Sequence, residues 1–163
     1  MIRKVIQDPD PILHKKTLPI TGGFESRFME RLTADMRDTL IEQDGVGLAA
    51  PQVSESLSVF VIPDDLAPEV RTPFAPLSFL KPLRPTVFIN PEVVYHSQER
   101  EVIEEGCLSI RGTFKQTPRS LTVKIKALDY RGRKFTVSAT GILARVFQHE
   151  TDHLNGILFT ERL

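Results

Sequence analysis

Gln148-His149-Glu150-Thr151-Asp152-His153 is the stretch on which the reading of this chain turns. Two histidines four residues apart lie one above the other on a helix, so both imidazoles can reach one cation. The glutamate between them points about 100° away from His149, near enough to hold a water molecule without binding the cation itself. A divalent metal with a neighbouring carboxylate makes hydroxide at neutral pH for attack on a carbonyl carbon. Upstream on the same helix, Ile142 and Val146 continue the stripe of His149 and His153 at helical spacing. A substrate whose reacting carbonyl sits at the metal would rest its neighbouring side chain on Ile142 and Val146.

A catalytic site of this kind uses three protein ligands and leaves one position open. Downstream of His153 the only carboxylate is Glu161, in the last three residues, so the distal glutamate of many metallopeptidases has no counterpart. In the longer pattern His-Glu-x-x-His-x-x-Gly-x-x-His, Gly156 fits, but the final position is Phe159, which binds no metal. The third ligand is therefore expected upstream, among His14, His96, Cys107 and the common carboxylates. Cys107 is the favoured candidate. It follows Gly106, where the backbone can come close, and it precedes Leu108-Ser109 at an apparent strand end. A thiolate with two imidazoles suits iron, zinc, cobalt and nickel alike.

The rest of the chain frames that helix. At 163 residues, with 40% hydrophobic and 26% charged side chains, it reads as one globular domain over 1–163. Twenty-one basic and 21 acidic residues cancel, so composition gives no argument for nucleic acid or acidic lipid as a partner. No apolar run approaches the ~20 residues that cross a bilayer. Neither a signal nor a transit segment is seen at the N-terminus, and a cytoplasmic location is expected. Cys107 is the single cysteine, which excludes an internal disulfide and fits a reducing compartment.

Residues 1–23 form a turn-rich lead-in, and a helix is expected from about Phe24. Its apolar stripe is Phe28, Leu32, Met36 and Leu40, and Gly45 stops it. The run Gly45-Val46-Gly47-Leu48-Ala49-Ala50-Pro51-Gln52 is dense in small residues that allow close backbone approach. Residues 58–62 read as a buried strand. Residues 63–85, with six of the 12 prolines, read as an insertion loop whose Phe74, Leu77, Phe79 and Leu80 pack down. Strands are expected over 86–90 and 93–96, interrupted by Pro91. Leu121, Val123, Ile125 and Ala127 alternate with Thr122, Lys124 and Lys126, a half-buried strand that turns at 129–132 and returns through Phe135 and Val137. Thr140 is expected to cap the metal-motif helix, which ends near Asn155-Gly156. Helix, strands, then helix is an α+β order.

Three stretches together resemble the motifs of the peptide deformylases: Gly-Val-Gly-Leu-Ala-Ala-Pro-Gln at 45–52, Glu-Gly-Cys-Leu-Ser at 105–109 and Gln-His-Glu-Thr-Asp-His-Leu-Asn-Gly at 148–156. The Asp-Pro-Asp-Pro-Ile-Leu segment at 8–13 extends the likeness to nearly the whole chain. The resemblance implies antiparallel sheets packed around a central C-terminal helix. It implies removal of the N-formyl group from the initiator methionine of nascent polypeptides met at the ribosome. One divalent metal is implied, natively Fe(II) with zinc, nickel or cobalt as substitutes, held by Cys107, His149 and His153. Glu150 is implied as the proton shuttle, with the Gln52 side-chain amide and the Leu108 backbone N–H as oxyanion donors. The Val46-Gly47 backbone would line the peptide groove, and Gly45 would shape the methionine pocket. Departures are Arg111, where many members have proline, the longer loop at 63–85, and the lack of a further C-terminal helix, so docking assigned to that helix is not expected. Asp152 is a candidate to orient a partner such as Arg119. Two rival readings are a metallopeptidase, which lacks its third ligand in the usual place, and an inactive metal-stabilised binding protein, which would be expected to lose Glu150 or Gln52. The oligomeric state is left open.

Overall fold

Ser26 starts the first helix. In a computed structural model describing residues 1–70 and 84–162, its hydroxyl oxygen accepts the Met29 N–H at 3.3 Å. This helix, α1 (Arg27–Glu42), begins three residues later than expected and buries Met29, Leu32, Met36 and Leu40. Phe28, expected in that stripe, is 51% exposed. A strict spacing of four drifts about 40° per step around the helix, so Met29, three residues before Leu32, takes the buried position instead. At the other end the left-handed residue is Asp44 (φ 50°), not Gly45. Gly45 donates its N–H to the Leu40 carbonyl at 3.1 Å. A Cβ there would lie 2.7 Å from Leu40 and 3.0 Å from Leu108, so its small size serves close packing.

Five antiparallel strands form the main sheet in the order β1 (Leu48–Ala49), β2 (Val59–Val61), β3 (Val87–His96), β6 (Thr122–Leu128), β7 (Lys134–Thr140). A separate two-stranded sheet pairs β4 (Arg100–Cys107) with β5 (Ile110–Ser120). The second helix, α2 (Gly141–Leu154), touches strands of both sheets. Alternation along the strands divides the core. Val59, Val61 and Ile89 face the Leu32, Met36 and Leu40 side of α1. Phe60, Ile62, Phe88, Val123 and Ile125 join Phe147 and Leu154 of α2. The Phe88 ring stacks on Phe60 at 4.8 Å and lies 4.9 Å from Phe147, so three aromatics tie the helix to the sheet. The architecture is α+β, with antiparallel sheets around the C-terminal helix.

Several local expectations change. Pro91 does not interrupt its strand, because β3 runs through it with register shifts at Ile89/Glu92 and Val93/Tyr95. A bulge leaves the proline without a ladder bond to lose. Asn90, at φ 47° in that bulge, clasps Ile20 of the lead-in through both amide atoms, at 2.8 and 2.7 Å. Leu121 is 41% exposed, since it lies in the step between β5 and β6 rather than on the alternating face. Thr140 makes no side-chain cap bond; it is still paired with Thr122 in β7, and Gly141 at φ 59° turns the chain into the helix. Instead, Gln148 docks α2, accepting the Ser120 N–H and donating to the Ser120 carbonyl, both at 3.0 Å. In the proline-rich loop, residues 64–66 form a 3₁₀ turn. The expected packing of Phe74, Leu77, Phe79 and Leu80 lies outside the described residues. Among those described, no helix is long and apolar enough to cross a membrane.

Gly156 closes α2 at φ 72°, and a Cβ there would stand 2.7 Å from the His14 and Lys15 backbone. Gly156→Ala is expected to destabilise the fold by about 2 kcal/mol, from left-handed strain plus that collision. The check is a lower urea midpoint at unchanged m-value; an unshifted midpoint would show that the lead-in is not held against this turn.

Candidate metal centre and active site

Cys107 ends β4, where the Leu108-Ser109 turn leads into β5. The register shifts between Gly106 and Cys107, and this irregularity turns the thiol toward α2. Helical spacing then does what the sequence implied. His149 and His153 project from neighbouring turns, their Nε2 atoms 3.2 Å apart, and the Cys107 sulfur lies 3.2 Å from the His153 Nε2. These three ligand atoms all lie within 4.8 Å of one another. His14 pairs with Asp8 at 2.7 Å on the surface, and His96 lines a cleft on the far side of α2. Of the named upstream candidates, only Cys107 joins the two histidines.

Gln52 sits on the 3₁₀ turn after β1, 1% exposed. Its oxygen accepts the Ala49 N–H at 2.8 Å, which turns its NH₂ toward Ser109 Oγ at 3.2 Å and the Cys107 sulfur at 3.6 Å. The Ser109 N–H also points at that sulfur, at 3.4 Å. The sulfur is thus met by two N–H donors. The Leu108 carbonyl accepts from Gln7 Nε2 at 2.9 Å, fixing the next peptide of the turn. Gly45, Val46, Gly47, Gln52, Cys107, Leu108, Ile142, Val146, His149 and Glu150 line one cavity of about 370 Å³. His153 lies behind it, 1% exposed. Ile142 (54% exposed) and Val46 (49%) stand at its rim, while Val146 is buried in its wall.

Glu150 is the electrostatic anomaly of the site. It is 3% exposed, and its Oε2 has no hydrogen-bond partner. Burial pushes its carboxyl up to about 7, only partly offset by His149 and Arg119. A Cβ on Gly47 would fall 2.4 Å from its Oε1, so the carboxylate occupies space that only glycine leaves free. Burial by itself would lower His149, but its contacts with Cys107 and Glu105 outweigh that and raise it to about 10. Burial and the neighbouring His149 charge hold His153 well below the usual histidine value. The three ligand atoms lie within 4.8 Å of one another, an arrangement that could hold one metal ion.

Sequence reasoning passed over the support behind His149. Its Nδ1 lies 3.1 Å from Glu105 Oε1. Burial alone would raise the Glu105 carboxyl, yet its bonds to His149 and Arg119 hold it below the usual range. Arg119 grips Glu105 with two nitrogens at 3.2 Å and reaches Asp152 at 2.5 Å, so the suggested Asp152–Arg119 contact is present and buried. Glu105 stood inside a quoted motif; the signal for its role was a carboxylate two residues before a candidate ligand. The far side of α2 opens on a larger cleft, about 1280 Å³, but none of Cys107, His149, His153 or Glu150 lines it. Position of the reactive groups, not volume, identifies the site.

A cysteine sulfur and two imidazoles converging beside a buried carboxylate, on an α+β scaffold, form the layout of a metal-dependent hydrolase. The polypeptide deformylase family profile matches residues 2–163. A peptide deformylase of Thermomicrobium roseum is 41% identical, over 99% of this chain and 86% of that protein. One from Pseudothermotoga lettingae is 37% identical, over 99% of this chain and 82% of its own length. Among solved structures, the actinonin-bound class I type b enzyme of Acinetobacter baumannii superposes with a TM-score of 0.84 at 33% identity, covering 100% of this chain and 99% of that one. The Thermotoga maritima enzyme gives 0.82 at 36% identity, covering 100% and 98%. The chain belongs to the polypeptide deformylase family, enzymes that remove the formyl group from nascent chains.

The raised Glu150 carboxyl has a stability consequence. Its folded value of about 7 exceeds the ordinary 4.5, so the native state holds this proton more tightly and loses stability as pH rises between those values. Metal-stripped Glu150→Gln is therefore expected to be more stable than the stripped parent above pH 7, by about 3 kcal/mol, with the curves meeting near pH 4. Urea denaturation across that range checks this; a parent equally stable at pH 8 would mean that Glu150 is not buried as a strained acid.

Proposed function

We propose that this protein hydrolyses the N-formyl group from the initiator methionine of nascent polypeptides, releasing formate and a free amino terminus. The observation that carries this reading is Glu150, a buried carboxylate without a partner, beside three convergent ligand atoms at a cavity. Cys107, His149 and His153 would hold one divalent metal, Fe(II) by family likeness, with zinc, nickel or cobalt as substitutes. When bound, such a cation polarises the formyl carbonyl and lowers the pKa of water. The residues divide the remaining work. Glu150 takes the proton of the attacking water and delivers it to the leaving amine nitrogen. One Gln52 N–H and the Leu108 backbone N–H stabilise the oxyanion of the tetrahedral intermediate, a kind of contact worth roughly 3 kcal/mol. The Val46-Gly47 backbone and Gly45 guide the peptide, while Ile142 and Val146 receive the methionine side chain. The whole of 1–163 acts as one catalytic domain. Its substrates are chains emerging from the ribosome in a bacterial-type cytoplasm.

Two outcomes are expected. Glu150→Gln keeps its metal and fold but loses about a thousandfold in turnover of formyl-Met-Ala-Ser, and substantial residual turnover would sink the shuttle role. Cys107→Ser loses metal on dialysis against a chelator; unchanged metal content would argue against ligation by sulfur.

A further inference from the structure

Two residues beyond α2, Phe159 and Arg162, reach back to the metal-ligand helix. Phe159 lays its ring against His149, with centroids 6.1 Å apart and planes 30° apart. Arg162 takes the Asp152 carboxylate with two nitrogens, Nε at 2.9 Å from Oδ2 and Nη2 on Oδ1. The backbone of this segment is clamped, because Lys115 Nζ donates to the carbonyls of Thr160 and Arg162 at 2.8 and 2.7 Å. Glu161 adds a bond from the Leu158 N–H, at 2.6 Å. The Arg162 arm therefore starts from a fixed base, although its side chain is 42% exposed.

From Asp152 inward the groups alternate in sign. Asp152 meets Arg119 at 2.5 Å, Arg119 grips Glu105, and Glu105 lies 3.1 Å from His149 Nδ1. Arg119 is held between two carboxylates, and only Glu105 touches the ligand. A shift of Asp152 would swing the guanidinium and with it the carboxylate that fixes the His149 ring. Besides Arg119, Arg162 is the side chain that grips the Asp152 carboxylate.

We infer that Arg162 is a positioning residue of the metal centre, acting through Asp152, Arg119 and Glu105 to orient His149. The inference rests on the reading of Cys107, His149 and His153 as metal ligands. It is distinct from any contact between Arg162 and substrate, since Arg162 lines the cleft on the far side of α2 and not the cavity of Glu150.

The test loads the full chain and its Arg162→Ala, Arg162→Lys and Asp152→Asn variants with Co(II). Three quantities are read: the Co(II) dissociation constant by chelator competition, the visible ligand-field bands, and kcat and KM on formyl-Met-Ala-Ser. Arg162→Ala is expected to weaken Co(II) binding about tenfold, the usual scale for partners of metal ligands, and to shift the bands. It should lower kcat while KM stays within about twofold. Asp152→Asn should give the same changes in greater measure, and Arg162→Lys should recover half or more of the loss. An Arg162→Ala protein with the parent's affinity and bands overturns the inference whatever its melting temperature, because a merely structural latch lowers stability without touching the bands. A parent that binds no Co(II) overturns the metal reading and this inference together. A parent that holds Co(II) with the expected dependence on Arg162, yet leaves the formyl peptide intact, supports this inference and sinks the proposed reaction.

Discussion

Three electron-rich atoms aimed at one point dominate the molecule. The Cys107 sulfur and the two histidine Nε2 atoms lie within 4.8 Å of one another in a largely buried setting. Lone pairs held this close repel unless a proton or a cation lies among them. The titration behaviour expresses that demand: His149 is raised to about 10 while His153 is held far below its usual value, so one proton serves two rings. The demand then propagates outward. Glu105 balances His149, Arg119 balances Glu105, and Asp152 balances Arg119. Any of these charges left unpaired in the interior would cost several kcal/mol, and each has its opposite within reach.

The fold supplies the rigidity that such a chain of charges needs. The ligands come from two elements that share no backbone hydrogen bonds, the end of β4 and the middle of α2. Their relative position depends on docking. On one side Phe147 seats α2 against Phe88 and Phe60 of the main sheet. On the other, Gln148 locks it to Ser120 at the end of β5. These two contacts lie two and one residues before His149, so helix and hairpin are fixed where the candidate metal ligands begin. Rigid elements hold a coordination geometry better than loops do, and the one ligand near a loop, Cys107, is steadied by donors from Gln52 and Ser109.

Much of this was readable in the sequence, for a physical reason. Chemistry that needs two imidazoles on one face fixes a spacing of four, and spacing is a local property. The absence of a ligand in the usual downstream positions pointed upstream, and the α+β order followed from the alternation of strand and helix periods. What escaped depends on distance along the chain. Glu105 and His149 are 44 residues apart, and Gln7 reaches Leu108 across 101. No local period carries such pairings. Two smaller errors have the same root. Phe28 followed a spacing of four but fell off the buried face, and Pro91 followed a propensity that a bulge in the tertiary register overrode.

Glu150 shows why the site is assembled against the grain of stability. A hydrogen bond to its Oε2 would relieve the burial cost and draw its carboxyl back toward 4.5, from about 7. In the proposed reaction that bond would also occupy the oxygen that takes the proton and would weaken it as a base near neutral pH. The surroundings instead offer the bare backbone of Gly47, close enough to exclude any side chain. The carboxylate is confined, and no protein group hydrogen-bonds its Oε2. In the proposed reaction its partner is the attacking water, whose proton Glu150 takes.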